Sequence, residues 1–394
     1  MSRVAVIHIP YELKADANIA PQLRPRRMIE AFRAVGFTVI VVDGAPRRRR
    51  ALMKRVLRDF DSHSLNVDFV YSESAGWPNA VSDGRKGSFH PYLDERFLRG
   101  LRARGVPVGV FYRDAYHRSD QFYQVPRWKR PLRHALRFLA ERDLRRYNAY
   151  VSLLYLPSKE MAAHIPEYKG KIEALPPGAK PRSGDGRGAP DSPQATPLTL
   201  LYVGGLGALY KIHNLLEAVS RTPSIELVIC TREADWASVE SEYQPYLGPR
   251  ISVVHKSGMD LEELYRRADV AMLMVEPHPY REFAVPVKLY EYIGSGLPIM
   301  ASAGTLVGRY VEESGLGWVV PYSTDRIADI LAYLATAQGE ADRVAARARV
   351  QRHALGVTWE ARARQVVIDL ADEHSRASSV MQDAVHNETP QDRL

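Results

Sequence analysis

The sequence predicts an α/β protein built from two doubly wound domains with parallel sheets, and three observations carry that reading. Short apolar strands alternate with amphipathic helical stretches from the first residues on. The alternation stops at residues 176–197, PPGAKPRSGDGRGAPDSPQATP, a Pro-, Gly- and Ser-rich stretch without apolar periodicity, and then starts again. At 394 residues the chain exceeds what one hydrophobic core usually holds, and a 45% hydrophobic content can fill two. The expected organisation is a first domain over 1–175, a linker over 176–197, a second domain over 198–371 whose last helix can cross back to the first, and a disordered tail over 372–394.

RVAVIHI reads as a buried strand, LRPRRMIEAFRAVG as a helix that stops on Gly36, and FTVIVVDG as the next strand. NVDFVYSE, VPVGVFYRD and AYVSLLYLP continue the first sheet. After the linker, TLLYVGG, IELVICT, ISVVHKSG, VAMLMVEP and LPIMAS read as strands, with HNLLEAVSR, LEELYRRAD and VKLYEYIG as helices among them. TWEARARQVVIDLADE closes the pattern as a last helix, and SRASSVMQDAVHNETPQDRL beyond it has no apolar stripe. Sheets of this kind bind ligands outside the carboxyl ends of their strands, so the site is expected in a cleft between the domains.

Composition narrows the function. The one cysteine, Cys230, cannot form an internal disulfide, MSRVAVIHIPYELK does not read as a signal peptide, and no apolar run approaches the roughly 18 to 20 residues that cross a bilayer. The expected location is cytoplasmic, with any membrane met from its surface. Residues 1–190 carry 35 Lys and Arg against 19 Asp and Glu, and the remainder 19 against 27, so a basic front half adjoins an acidic back half. Two basic amphipathic stretches lie in the front half, RRRRALMKRVLRDF and RWKRPLRHALRFLAERDLRRY. In the second, Leu132, Leu136, Leu139 and Tyr147 fall on one helical face. Each stretch fits a helix packed on its own domain with a solvated basic face, or one docked on anionic lipid headgroups. No recognition motif for nucleic acid accompanies the charge, and no nucleic-acid partner is expected. No metal site is expected either, since no histidine pairing of a known type occurs and one cysteine cannot build a zinc site. Asp59-Phe60-Asp61 spells D-x-D but follows a basic helical run rather than a strand, and is read as chance.

The stretch VPVKLYEYIGSG concentrates the chemistry. Pro286 suits a first helical turn, Lys288 and Glu291 share a face at i,i+3, and Gly294 or Gly296 can supply a left-handed stop. An ordinary surface ion pair has this spacing. So has a nucleotide clamp, in which free N–H groups and Lys288 attract phosphate while a carboxylate one turn later grips ribose hydroxyls.

PVKLYEYIGSGLPIMAS resembles the P-x-K-L-x-E-Y-x-x-x-G-x-P-I stretch of GT-B glycosyltransferases, in particular the family 4-like enzymes with nucleotide-sugar donors, and YVGGLGALYK and TWEARA fit the same pattern in order. The resemblance implies that Glu291 binds the donor ribose and that Lys211 binds the diphosphate, with Gly204 and Gly205 letting their loop approach the donor. Two positions depart from it. The arginine often found six residues before that lysine is Gly205, and the first glutamate of the usual Glu-x7-Glu pair falls on Phe283, with Glu282 one residue out of place. Arg232, after IELVICT, or Lys288 could supply the missing positive charge, although a solvated loop arginine fits Arg232 equally well.

In the front half, VPVGVFYRDAYHRSD puts Arg113, Asp114 and His117 directly after a strand, where α/β enzymes keep reactive groups. Asp114 suits a helix cap as well as a catalytic base, and His117 suits a surface or satisfied buried histidine as well as a catalytic role. Arg24 and Glu73 lie in loops expected to border the cleft and are candidates for acceptor contact. SESAGWPN, HPYLDERFLRGLRARGVPVGVFYRD and LPSKEMAAHIP resemble the front domains of bacterial capsule and exopolysaccharide glycosyltransferases.

The expected activity is transfer of a sugar from a nucleotide-diphosphate donor, UDP-sugar favoured, to a glycan or lipid-linked acceptor, with no cofactor and no metal. The resemblance implies retention of configuration, whereas Asp114 as a base would suit inversion. A sugar-nucleotide epimerase of the same plan and a basic nucleic-acid binder stand as alternatives. An NAD-type oxidoreductase is disfavoured because GGLGALY has tyrosine where the third glycine of G-x-G-x-x-G should be.

Overall fold

The computed structural model describes residues 3–14, 20–81, 89–115, 130–182, 197–207 and 209–387. The chain divides into two compact units, Met1–Pro176 with Trp359–Leu394, and Pro177–Thr358.

In the first unit, β1 (Val4–His8), β2 (Thr38–Val42), β3 (Phe69–Glu73), β4 (Val108–Phe111), β5 (Leu153–Leu156) and β6 (Ile172–Ala174) form a six-stranded sheet ordered β2-β1-β3-β4-β5-β6. Every pairing is parallel. A parallel sheet is covered on both faces, which is why β1, β3, β4 and β5 are buried at every position and apolar except at His8, Ser72 and Glu73 at the carboxyl ends of β1 and β3. Its helices are α1 (Ala20–Ala34), α2 (Pro46–Asp61), α3 (Leu93–Arg102) and α4 (Arg130–Tyr147). The second basic stretch does not bury the whole of its expected apolar face. Tyr147 is buried and Leu136 and Leu139 are half-buried, but Leu132 is 54% exposed, because only the C-terminal half of α4 packs closely on the unit; Phe138, off that face, is 60% exposed.

In the second unit, β7 (Leu198–Val203), β8 (Ile225–Cys230), β9 (Ile251–Val254), β10 (Val270–Leu273), β11 (Ile299–Ser302) and β12 (Gly317–Val320) form a parallel sheet ordered β12-β11-β10-β7-β8-β9. The helices are α5 (His213–Arg221), α6 (Glu233–Tyr243), α7 (Asp260–Arg267), α8 (Val287–Gly294), α9 (Leu306–Glu313), α10 (Thr324–Leu334) and α11 (Ala337–Gly356). The order reverses between β7 and β10, so the loops leaving those strands run to opposite faces and open a crevice at their carboxyl ends.

The two glycines that close α8 have different tasks. A Cβ on Gly294 would lie 2.6 Å from the Lys180 carbonyl oxygen, so that position admits the close approach of another backbone. Gly296 has φ of 68°, the left-handed conformation that ends the helix and turns the chain into β11.

The last helix crosses back to the first unit, and the boundary of the tail differs from expectation. The last helix, α12 (Trp359–Asn387), packs on α1, burying Ala363, Val366 and Leu370 in the core of the first unit. Residues 359–371 therefore belong to that unit and not to the second domain. The helix also continues through 372–387, where the sequence predicts a disordered tail. Extending a helix already nucleated on a packed segment needs no apolar stripe of its own, and Glu373 adds an ion pair to Lys171 at 2.8 Å. The first part of the expected linker is tied to the second unit, through Ala179 N to Val357 O and Arg182 N to Gly294 O; residues 183–196 lie outside the described residues. The short edge strands β6 and β12 had no strand signal strong enough to read.

Candidate active site

The crevice between β7 and β10 collects most of the predicted donor-binding residues. β7 ends at Val203 and leads into Gly204, Gly205 and Lys211; β10 leads through Glu276 and Arg281 to α8, which carries Lys288 and Glu291. The two loops are joined directly, since the Glu276 amide donates to the Lys211 carbonyl at 3.0 Å. α8 is joined to the end of β7, because the Val203 amide donates to Tyr292 Oη at 2.7 Å. The glycine loop is pulled in by Tyr202, whose hydroxyl donates to the Gly205 carbonyl at 2.7 Å. A Cβ on Gly204 would lie 3.1 Å from that hydroxyl, a close approach that favours glycine there.

Glu291 is held from two sides on one oxygen. Its Oε2 accepts from Tyr265 Oη at 2.8 Å and from Lys288 Nζ at 2.5 Å. Among the described residues no donor reaches Oε1, and the side chain is partly exposed, so that oxygen has acceptor capacity left for a ligand hydroxyl. Burial, and next the nearby Glu291 carboxylate, push the Tyr265 hydroxyl far above its ordinary pKa, so it stays protonated and can donate. The Arg182 guanidinium lies 4.5 Å above the Tyr265 ring.

The cations around the crevice differ in their settings. Lys211 Nζ is 3.9 Å from Glu276 and partly exposed. Arg232 is the N-cap residue of α6, 73% exposed and bonded to Asp235 at 2.8 Å, so it is a solvated, ion-paired side chain and not a buried replacement for the arginine absent at Gly205. Sequence reasoning missed Arg281. It is 5% exposed, in a short 3₁₀ turn over Pro279–Glu282. Its guanidinium donates to the Leu209 carbonyl and lies 4.0 Å above the Tyr210 ring, against the residues that precede Lys211. The only available signal was its place one residue before Glu282, where the resemblance breaks.

In the first unit, Arg24 and Glu73 are brought together, but inside the core. Glu73 accepts from Arg24 Nε at 3.1 Å, Tyr71 Oη at 2.9 Å and Arg113 Nη2 at 3.1 Å, and neither Arg24 nor Glu73 presents more than a trace of surface. The Arg24 guanidinium lies 3.5 Å above the Phe111 ring and donates to the Leu175 carbonyl at 3.0 Å. This corrects the acceptor-contact expectation. Instead of bordering loops, Arg24 lies in α1 and Glu73 ends β3, and both turn into the core between them. Beside them, burial pushes the Tyr11 hydroxyl up to about 12. A second buried network joins His8, Ser72, Asp94 and Arg49, with Arg49 Nε 2.7 Å from Asp94. Asp114 follows β4 and lines a small cavity with Trp77, Tyr112, Asp143 and Tyr147. His117 lies outside the described residues. Asp59 and Asp61 are in α2, ion-paired to Arg58 and Arg104. Among the described residues no group of three metal-ligating side chains occurs.

Residues 197–337 match the family model described as glycosyl transferases group 1. That segment is a glycosyltransferase domain, and the fold of the whole is the GT-B fold of two Rossmann-like units. Among solved structures, sucrose-phosphate synthase from Thermosynechococcus elongatus is similar at 16% identity and a TM-score of 0.59, over 92% of this chain and 97% of that one. HepE from Anabaena, solved with UDP and glucose, is similar at 13% identity and a TM-score of 0.58, over 94% and 100%. WaaG, a glycosyltransferase involved in lipopolysaccharide biosynthesis, is similar at 16% identity and a TM-score of 0.57, over 93% and 99%. No curated protein matches the sequence. No described helix is long and apolar enough to cross a membrane.

Proposed function

We propose that the enzyme transfers a sugar from a nucleoside-diphosphate donor, a UDP-sugar in the first instance, to a glycan or lipid-linked acceptor in cell-surface polysaccharide or glycoconjugate synthesis. The observation that carries this is Glu291, fixed through Oε2 by Tyr265 and Lys288 with Oε1 left to accept, at the switch point of a group 1 glycosyltransferase domain. Glu291 takes the ribose hydroxyls, while Lys211 and Lys288 face the diphosphate. The bond between the anomeric carbon and the β-phosphate oxygen breaks with its electron pair leaving on the diphosphate. The acceptor oxygen bonds to that carbon from the same face and passes its proton to the departing β-phosphate oxygen. Fixed positive groups favour the charge that develops on the leaving diphosphate, and they need no metal ion to do so.

Retention is the stereochemical reading that fits a site built on positioning and electrostatics. The acceptor is assigned to the first unit, where Asp114 lines a cavity beside Trp77 and Tyr112. Exposed Leu132 and Phe138 among the arginines of α4 support peripheral attachment to an anionic membrane surface. The test is incubation of the purified protein with labelled UDP-, GDP-, ADP- and dTDP-sugars, with and without lipid-linked acceptors and with EDTA in parallel. Acceptor-dependent release of the nucleoside diphosphate, unchanged by EDTA, is the expected result. Conversion of the donor sugar without acceptor would show an epimerase instead.

A further inference from the structure

Among the described residues Arg281 is a buried cation with no anion beside it. No carboxylate among the described residues lies within ion-pair distance of it, its Nε–H has no acceptor, and its one side-chain hydrogen bond goes to the neutral Leu209 carbonyl. Other deeply buried arginines of the molecule are neutralised: Arg24 bonds Glu73 and Arg49 bonds Asp94. An uncompensated buried charge is strongly disfavoured unless something in the functional state compensates it. The Tyr210 ring under its guanidinium offsets part of that cost but supplies no countercharge.

Its position says what the compensating group is. The 3₁₀ turn over Pro279–Glu282 is set by His278, whose Nδ1 accepts from the Tyr280 amide at 3.1 Å, and it lays Arg281 against the loop that begins at Gly204 and ends at Lys211. Gly205 offers no side chain on that loop, and Arg232 turns to Asp235 and solvent. Arg281 is therefore the one cation found buried on the glycine loop among the described residues.

We propose that Arg281 binds the diphosphate of the nucleotide-sugar donor and, with Lys211, receives the charge left on it when the sugar departs. This rests on the transfer reading above and names a residue for it that neither the motif nor the resemblance supplies. A planar guanidinium fixed at the loop fits two phosphate oxygens better than a flexible ammonium does.

The experiment is calorimetric. Whichever of UDP, GDP, ADP or dTDP binds the wild-type enzyme tightest is titrated, together with its parent nucleoside, into wild type, Arg281→Gln and Arg281→Lys. Arg281→Gln is expected to weaken the diphosphate by about tenfold or more while leaving the nucleoside within about twofold. Arg281→Lys should recover part of the loss. The melting temperature of ligand-free Arg281→Gln should not fall, because the substitution removes an unpaired buried charge. Equal weakening of diphosphate and nucleoside, or an unchanged diphosphate affinity in folded variant, would overturn the proposal. Should Arg281→Gln fail to fold, a wild-type structure with the nucleotide decides, with a guanidinium-to-phosphate distance of about 3 Å expected and no phosphate contact overturning it. Lys211→Ala and Glu291→Ala separate the two levels. Losses there with Arg281→Gln unaffected would sink only the Arg281 assignment, while no binding of any of the four nucleotides would sink the transfer reading with it.

Discussion

The carboxyl edges of the two sheets carry similar residues in opposite states. At the first, Glu73 accepts from Arg24, Tyr71 and Arg113, and Asp94 from His8 and Arg49, so the carboxylates are buried and richly bonded. At the second, among the described residues, Glu291 keeps one oxygen that no donor reaches, Lys211 and Lys288 are partly exposed, and Arg281 is buried with no carboxylate in ion-pair range. Paired, buried polar groups hold a fold in place; groups with bonding capacity to spare are placed to bind. Charge composition would have pointed the other way, since the front half has the large excess of basic residues.

The comparison can be broken at its stable end first. Glu73→Ala takes from the buried Arg24 its carboxylate and should cost about 3 to 5 kcal/mol in urea unfolding, enough to leave the protein largely insoluble. A mild loss would mean the network is not what fixes that edge. Lys211→Ala and Glu291→Ala should instead fold with stability within about 1 kcal/mol of wild type while losing about 10- to 100-fold in donor affinity, as befits charged hydrogen bonds to a ligand. Acid titration probes the first edge again. Burial alone would raise the Asp94 carboxyl, but bonds and charges from His8 and Arg49 outweigh it and hold it below the usual carboxylate range. Its contribution is then fully present above the unfolded value, near 3.9, and is lost as pH falls through the lower folded one, so Asp94→Asn should flatten the acid limb of a stability-against-pH curve.

Smaller effects sharpen the second edge. Tyr265→Phe removes one of two donors from Glu291 Oε2 and should weaken nucleoside diphosphate binding about fivefold, with discrimination against the 2′-deoxy nucleotide reduced in parallel. Arg232→Ala should change donor affinity by less than about twofold, since its exposed pair with Asp235 is screened by solvent.

Much of this organisation could be read from the chain. Alternating apolar runs gave most strands of both sheets, and the spacing of Lys288 and Glu291 gave the pair that now measures 2.5 Å. What could not be read depends on contacts distant in sequence. Tyr265 reaches Glu291 from another helix, and Arg281 reaches the glycine loop from the far side of the switch point. Arg24 and Glu73 show the converse failure, since charged residues near strand ends carry no mark of whether their partners are a ligand or each other. The fate of α12 was open for the same reason, because its apolar face fits any exposed helix and only the packing against α1 fixes it in the first unit.

The central claim is that the second sheet's edge, and not the basic first unit, holds the donor. Calorimetric titration of UDP into wild type and into Lys211→Ala/Glu291→Ala, both verified as folded, tests it most directly. Saturable one-site binding by wild type and a loss of at least about 100-fold in the double variant are expected. Binding by the double variant within about twofold of wild type would contradict the account.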